Sequence, residues 1–212
     1  VRVVSIPFYA TTSEQQIQYM VNDAQVRFLF VGEQEQYNKA HRIFALCPSL
    51  ERIIIFDPSV RISTHDPNAL YFDDFLKLGE HLPRQSEVEK LWAEANEEDL
   101  CNILYTSGTT GDSKGVMLTY ANLAHQMVAH NKRLSVSEAD SSLSFLPLSH
   151  VYERAWTFYC LFKGVTVYYL EDTNQVREAL SEVKPTLMCA VPRFYEKIFA
   201  TVHDRANASS FA

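Results

Sequence analysis

The feature that most constrains the fold is an alternation of short apolar runs with amphipathic segments along the chain. Segment 52–56 (RIIIF) is apolar without interruption after its arginine, which is typical of a strand covered on both faces. Segment 13–23 predicts a helix, because Ser13 is a suitable N-cap and the apolar positions after it recur on one face. Strand, helix and strand in this order indicate parallel sheets with right-handed crossovers.

The same patterns place elements along the rest of the chain. Further strands are predicted at 3–7, 27–31, 100–105, 142–146, 165–170 and 186–191, and further helices at 34–46, 73–78, 86–95, 120–133, 151–162, 174–183 and 193–205. The expected fold class is α/β, with alternating β-α units forming mainly parallel sheets flanked by helices. An acidic segment, 94–99 (EANEED), is interpreted as a connection between sub-regions 1–99 and 100–212.

The composition limits the classes of function. The chain has 212 residues, 47% of them hydrophobic, which suffices for one large core or two small ones. With 19 basic and 26 acidic residues the net charge is −7, which argues against a nucleic-acid partner. The four cysteines are widely spaced and are interpreted as reduced thiols of a cytoplasmic protein.

The strongest candidate for a binding site is segment 104–123 (LYTSGTTGDSKGVMLTYANL). Glycines let backbone N–H groups approach an anion closely, hydroxyl groups add donors, and a lysine adds positive charge. We expect the loop to lie between a strand and a helix, at the carboxyl end of a parallel strand, and the N-terminus of the following helix would also attract an anion. The residues concerned are Ser107, Gly108, Thr109, Thr110, Gly111, Lys114 and Gly115.

The common nucleotide motifs do not fit this loop. The standard phosphate loop requires a lysine after its second glycine, whereas Lys114 precedes Gly115. The dinucleotide fingerprint requires glycine where Thr110 stands. A flexible linker is the competing interpretation, but a lysine-bearing loop between two strongly patterned elements is unsuitable as a linker.

The loop resembles the signature of the adenylate-forming superfamily, the acyl-CoA synthetases and their relatives, which is roughly [YF]-T-S-G-[ST]-T-G-x-P-K-G-V. The match runs from Tyr105 to Val116, with Ser113 in place of the usual proline. Segments 145–156 (FLPLSHVYERAW), 190–199 (AVPRFYEKIF) and 5–36 resemble corresponding parts of the long-chain fatty-acid–CoA ligases. The resemblance implies that residues 1–212 are part of the AMP-binding domain, the large N-terminal domain of such an enzyme.

The resemblance also implies a reaction and its groups. A carboxylate attacks the α-phosphate of ATP, pyrophosphate leaves, and the thiol of coenzyme A then displaces AMP from the acyl-adenylate. By this resemblance Lys114 and His150 are the catalytic residues, with His150 orienting the carboxylate, and Thr106 helps to hold Mg²⁺. The residues expected to hold the phosphates of ATP are Thr106, Ser107, Gly108, Thr109, Thr110, Gly111 and Lys114.

Several residues of these segments have a structural alternative. His150 is also suited to the N-terminus of a helix, and Glu153 with Arg154 is interpreted as a surface ion pair of small energetic value. Arg193 and Glu196 carry the same ambiguity. Trp156 is expected to belong to the core, the alternative being a gate for an acyl tunnel.

The resemblance is incomplete at the C-terminal side. The family's aromatic–Gly–x–Thr–Glu motif and its C-terminal domain with a catalytic lysine do not occur in residues 1–212. We therefore expect the chain to be a fragment that is inactive by itself, and no apolar run in residues 1–212 approaches the roughly 18 residues that a membrane helix needs. Two alternatives stay open: a relative that activates another acid, such as an aryl or amino acid, and a non-catalytic binding module with the same fold. Peripheral membrane contact, oligomeric state and acyl chain length are also left open.

Overall fold

A computed structural model describes residues 2–106 and 113–209 of the chain. The chain divides into two compact units, Val1–Leu123 and Ala124–Ala212. The boundary lies after the acidic segment 94–99 that the sequence favoured as a connection.

The first unit contains a three-stranded parallel sheet in the order β1-β2-β3. Its strands are β1 (Phe28–Val31), β2 (Arg52–Ile55) and β3 (Ala69–Tyr71). The helices of this unit are α1 (Glu14–Asp23), α2 (Gln34–Ile43), which continues as a short 3₁₀ turn (Phe44–Leu46), α3 (Phe72–Glu80) and α4 (Gln85–Ala93).

Local sequence explains why these elements form. Ser13 caps α1 in a reciprocal capping box with Gln16, as its position predicted. The three isoleucines of β2, Ile53, Ile54 and Ile55, are fully buried, which confirms a strand covered on both faces. The core of the first unit consists of Val21, Leu29, Val31, Tyr37, Ala40, Ile43, Cys47, Leu50, Ile53, Ile55 and Val60.

The first unit also holds an antiparallel hairpin of β4 (Leu100–Thr106) and β5 (Lys114–Thr119). β4 was predicted, but β5 was not, and the helix predicted at 120–133 is confirmed as α5 (Tyr120–Asn131). The predicted cap of α5, Thr119, accepts a hydrogen bond from the Asn122 N–H at 3.4 Å.

The second unit is built on a parallel sheet in the order β7-β6-β8. Its strands are β6 (Ser141–Ser144), β7 (Thr166–Tyr169) and β8 (Leu187–Met188), and its helices are α6 (Val151–Phe162), α7 (Val176–Val183), which follows a 3₁₀ turn (Thr173–Gln175), and α8 (Pro192–Ser209). Two buried clusters, around Tyr159 with Cys160 and around Leu143 with Phe145, form its core.

The observed fold confirms the predicted α/β class. The bounds of α6 coincide with the predicted ones, and Gly164, expected as its C-terminal stop, has φ of +73°. The predicted strand at 3–7 is reduced to a single bridge between Ser5 and Asn102, and β8 is shorter than expected. All four cysteines are buried free thiols. Among the helices of the described ranges, none has the length and apolar character needed to cross a bilayer.

Gly115 is where the hairpin tolerates no side chain. A Cβ atom there would lie 2.8 Å from Ile103 Cγ2 and 3.2 Å from the Tyr105 ring. We therefore expect Gly115→Ala to lower the free energy of unfolding, measured in urea, by about 1 to 3 kcal/mol. Gly79→Ala in α3 is the matched control, because no atom lies within 4 Å of its added Cβ, and its stability should be unchanged or raised by about 0.5 kcal/mol. Equal stability of the two variants would contradict the close packing at Gly115.

Candidate functional site

The hairpin brings together two of the residues predicted to bind the phosphates of ATP. Thr106 ends β4, Lys114 begins β5, and the two are register partners. Directly opposite residues of an antiparallel pair have their Cβ atoms about 5 Å apart, and both residues are exposed. Their hydroxyl and ammonium groups therefore flank the two ends of the loop. Five further predicted residues, Ser107, Gly108, Thr109, Thr110 and Gly111, lie outside the described residues.

The local context of the loop differs from the expectation in one respect. The loop joins two antiparallel strands, so the expected position between a parallel strand and a helix is wrong, and the strand β5 lies between the loop and the predicted helix. β5 has six residues, so at about 3.3 Å per residue it carries the chain about 20 Å from the loop before α5 begins. Because a helix dipole acts mainly within its first turn, the N-terminus of α5 adds little to anion binding at the loop.

Tyr105 anchors the hairpin to α1. Its hydroxyl donates a 2.6 Å hydrogen bond to Asp23 Oδ2, and its ring meets that of Tyr19 edge to face, with 6.5 Å between centroids. Partial burial and the Asp23 carboxylate raise the pKa of Tyr105 far above its ordinary value, so the phenol remains a donor. The same ring covers Gly115, so Tyr105 fixes both the register of the hairpin and its attachment to α1.

Asp23 was not identified from the sequence. It lies 82 residues before Tyr105, and a motif carries no information about a partner at that distance. The only sequence signal was its place at the predicted end of α1, where a carboxylate is unfavourable for the helix dipole and therefore suggests another role.

His150 belongs to the second unit and caps α6. Its Nδ1 atom accepts a 3.2 Å hydrogen bond from the Tyr152 N–H. In neutral imidazole one nitrogen accepts and the other carries the proton, so Nε2 is the N–H donor in this arrangement. His150 is exposed, so this donor is available to a carboxylate. The structural and the functional interpretation of His150 are thus compatible.

Glu153 corrects a prediction, because it does not form a surface ion pair with Arg154. Its side chain is completely buried. Arg154 instead donates to the Leu148 carbonyl oxygen at 3.3 Å and lies over the Phe158 ring. Burial raises the pKa of Glu153, and the nearby Ser144 hydroxyl and Cys189 thiol offset this rise only in part, since neither carboxyl oxygen has a partner in good hydrogen-bond geometry. The dipole of α6 favours a first-turn carboxylate by about 0.3 to 1 kcal/mol, whereas desolvation of a buried ion costs several kcal/mol, so desolvation dominates.

A cavity of about 270 Å³ lies beside α6 in the second unit. The Trp156 side chain forms part of its wall and donates from Nε1 to the Ser142 hydroxyl at 3.0 Å. Trp156 also packs against the core cluster around Tyr159, in agreement with its predicted place in the core. The remaining lining residues are His130, Leu134, Tyr152, Ala155, Met188 and Cys189.

Burial raises the pKa of two thiols in the second unit. It raises the pKa of Cys189 to about 12 and that of Cys160 to about 11. Both thiols are therefore neutral at physiological pH and unsuited to nucleophilic attack.

Arg193 and Glu196, which the sequence left between a functional and a structural role, are exposed on α8.

The Tyr105–Asp23 hydrogen bond should contribute measurably to stability. We expect Tyr105→Phe and Asp23→Ala each to lower the free energy of unfolding by about 1 kcal/mol. The double variant should lose less than the sum of the two single losses, because both remove the same bond. Urea unfolding of the wild type, the two single variants and the double variant measures these losses. If the loss in the double variant equals the sum of the single losses, the hydrogen bond contributes nothing to stability.

Comparison with known proteins gives a consistent family. The family model described as "AMP-binding enzyme" matches residues 1–211. The chain is 29% identical to a probable CoA ligase of Humulus lupulus and 30% identical to long chain acyl-CoA synthetase 3 of Arabidopsis thaliana, in each case over 97% of this chain. It covers 32% of each of these relatives, so it spans about a third of their length.

Solved structures agree on the fold. The crystal structure of an anthranilate CoA ligase in complex with anthranoyl-AMP superposes with a TM-score of 0.72 at 20% identity, covering 87% of this chain and 34% of the ligase. At this identity the likeness establishes the α/β fold. The match of the family model over residues 1–211 shows that this chain belongs to the AMP-binding enzyme family.

Proposed function

We propose that the protein carrying this chain is an AMP-forming long-chain fatty acid–CoA ligase. The observation that carries the proposal is the hairpin, which sets Thr106 opposite Lys114 across a loop that matches the family signature. The reaction joins a fatty acid to AMP with release of pyrophosphate, and then to coenzyme A with release of AMP. Because the chain spans about a third of its relatives, the activity is proposed for the full-length protein.

The Lys114 ammonium stabilises the charge that develops on pyrophosphate as it leaves. This is electrostatic catalysis, in which a fixed positive group is aimed at the atoms that gain negative charge in the transition state. The backbone N–H groups and hydroxyls of residues 107–111 complete the cradle. Thr106 lies opposite Lys114 at the other end of the loop and is an exposed residue.

Thr106 is also suited to Mg²⁺ brought by the nucleotide. Mg²⁺ typically binds one or two protein oxygens together with phosphate oxygens and water, so a single hydroxyl at the loop is an adequate donor. When bound, Mg²⁺ would neutralise phosphate oxygens.

His150 orients the attacking carboxylate. Because its Nδ1 is engaged by the helix, its exposed Nε2–H can donate to one carboxylate oxygen and leave the other to attack. A neutral donor suits this role, because a full positive charge would reduce the nucleophilicity of the carboxylate.

The acyl preference rests on two observations. The relatives at about 30% identity include a protein named long chain acyl-CoA synthetase, and the cavity beside Trp156 has a largely apolar wall. The second candidate substrate is an aromatic acid, which the structural similarity to the anthranilate ligase favours. A binding module without catalysis is the third possibility, and the following experiments distinguish the three.

Removal of either hairpin side chain should slow adenylation. In the full-length protein we expect Lys114→Ala and Thr106→Ala each to lower the rate of acid-dependent ATP–pyrophosphate exchange by about 10² to 10³-fold, since each removes stabilisation of the departing phosphates. Lys132→Ala, which removes an exposed lysine of the second unit, is the matched control and should retain wild-type exchange. Unchanged exchange in both hairpin variants would remove the loop from the mechanism.

The acid profile tests the substrate class. Acids of increasing chain length and a set of aromatic acids are offered to the full-length protein, and pyrophosphate release is measured for each. We expect the highest kcat/KM for long-chain fatty acids. Activation of only aromatic or short acids would refute the long-chain assignment, and no activation of any acid would favour the binding module.

A further inference from the structure

Glu153 has an ionisable side chain and is completely buried in the second unit. Its side chain has no exposed surface, and in the part of the chain that the structure describes neither carboxyl oxygen has a partner in good hydrogen-bond geometry. Thr157, one turn further along α6, is also buried without a partner for its hydroxyl. Such groups are rare in folded proteins and call for an explanation.

The position of Glu153 in the helix makes its burial more informative. With His150 as the N-cap, Glu153 occupies the third helical position, where a glutamate normally reaches back to the N-cap N–H in a capping box. Here the His150 N–H donates to the Pro147 carbonyl oxygen at 2.9 Å instead. The carboxyl group therefore does not cap the helix and lies near Ser144, at the end of β6, and near Cys189, just after β8.

Among the described residues, no cationic group acts on Glu153. The titratable groups that act on it or that it acts on are the Tyr152 phenol and the Cys160 thiol of α6 and the Cys189 thiol after β8. Asp140, which precedes β6, acts on Cys160 with negative charge. An ionised carboxylate in this setting would be buried without a counter-ion, which is strongly unfavourable.

We propose that Glu153 is a positioning residue that acts as a neutral carboxylic acid and ties the first turn of α6, with His150 at its start, to the carboxyl ends of β6 and β8. A protonated carboxyl group both donates and accepts, so it can donate to the Ser144 hydroxyl and accept from the Cys189 thiol at once. A carboxylate can only accept. The neutral form therefore fits these two neighbours better than the ionised form does.

The consequence for His150 rests on the proposed function. His150 and Glu153 are separated by one turn of α6, so a shift of this turn moves the imidazole that orients the carboxylate. Small displacements of orienting groups reduce the rate of reaction more than they reduce binding of distant parts of the substrates. Glu153 itself touches no reacting atom in this proposal.

Infrared spectroscopy tests the protonation state directly. At neutral pH the full-length wild type should show the band of a protonated carboxyl group, which Glu153→Gln removes. Glu178→Gln is the matched control, because Glu178 is an exposed first-turn glutamate of α7 in the same unit, and it should retain the band. A wild type without the band, or a Glu153→Gln variant that keeps it, would overturn the neutral carboxyl group.

Thermal unfolding at several pH values gives a second readout. The pKa of Glu153 is raised above its ordinary value of 4.5 in the folded protein, so its proton is bound more tightly in the folded than in the unfolded state. The stability due to this proton is complete below pH 4.5 and is lost as the pH rises through the folded pKa. The Tm of the wild type should therefore fall relative to that of Glu153→Gln as the pH rises, and Glu178→Gln should follow the wild type. Parallel curves for wild type and Glu153→Gln would contradict the proposal.

Kinetics test the positioning role. Glutamine retains the shape and the donor of a neutral acid, so kcat of adenylation by Glu153→Gln should stay within about twofold of wild type. Glu153→Met removes both polar interactions and should lower kcat by about tenfold while KM for ATP stays near wild type. Loss of activity in Glu153→Gln, which is expected to fold even where Glu153→Met does not, would show that a charged carboxylate is required and would overturn the proposal.

The two proposals fail in different ways. A wild-type protein that activates no acid would overturn the proposed function, and with it the orientation of His150 for catalysis. The infrared band and the dependence of Tm on pH would still decide whether Glu153 is a neutral link between α6 and the strands.

Discussion

The candidate phosphate site depends on the antiparallel pairing of β4 with β5. This pairing sets Thr106 opposite Lys114, and it is possible only because Gly115 leaves room for the Tyr105 ring and Ile103. The Tyr105 hydroxyl then binds Asp23 of α1. A single tyrosine thus determines both how the two strands align and where the hairpin is held in the first unit. A side chain at position 115 would disturb both, because Tyr105 would have to move.

Elements with a strong local pattern were predictable from the sequence, and elements defined by pairing were not. The bounds of α6 and the burial of β2 follow from apolar periodicity and from runs of isoleucine. β3 has three residues and β5 has the irregular sequence KGVMLT, so neither carries a clear period. Each exists because a neighbouring strand supplies its hydrogen bonds, which is a long-range effect. The helix predicted at 120–133 is present, and β5 fills the segment that separates it from the loop.

The candidate site likewise contains residues that could be predicted from the sequence and residues that could not. Thr106, Lys114 and His150 were identified through motifs, since their chemistry and spacing are local. Asp23 and Glu153 required the structure. Glutamate is rarely buried, so a Glu-Arg pair in a helix is most simply interpreted as a surface ion pair. Its burial follows from the way α6 packs on β6 and β8, where Ser144 and Cys189 lie, and no local pattern specifies this packing.

The hairpin also determines how a bound polyphosphate would be neutralised. In loops that open directly into a helix, the helix N-terminus supplies part of the positive potential. Here six residues of β5 separate the loop from α5, so the contribution of the helix is weak. Most of the neutralisation of a bound polyphosphate would then come from Lys114 and from any cation held with Thr106. A mobile ammonium and an exchangeable cation release an anion more readily than a fixed helix terminus does. Such an arrangement suits a reaction in which pyrophosphate must depart, and it explains why one lysine is expected to carry so much of the rate.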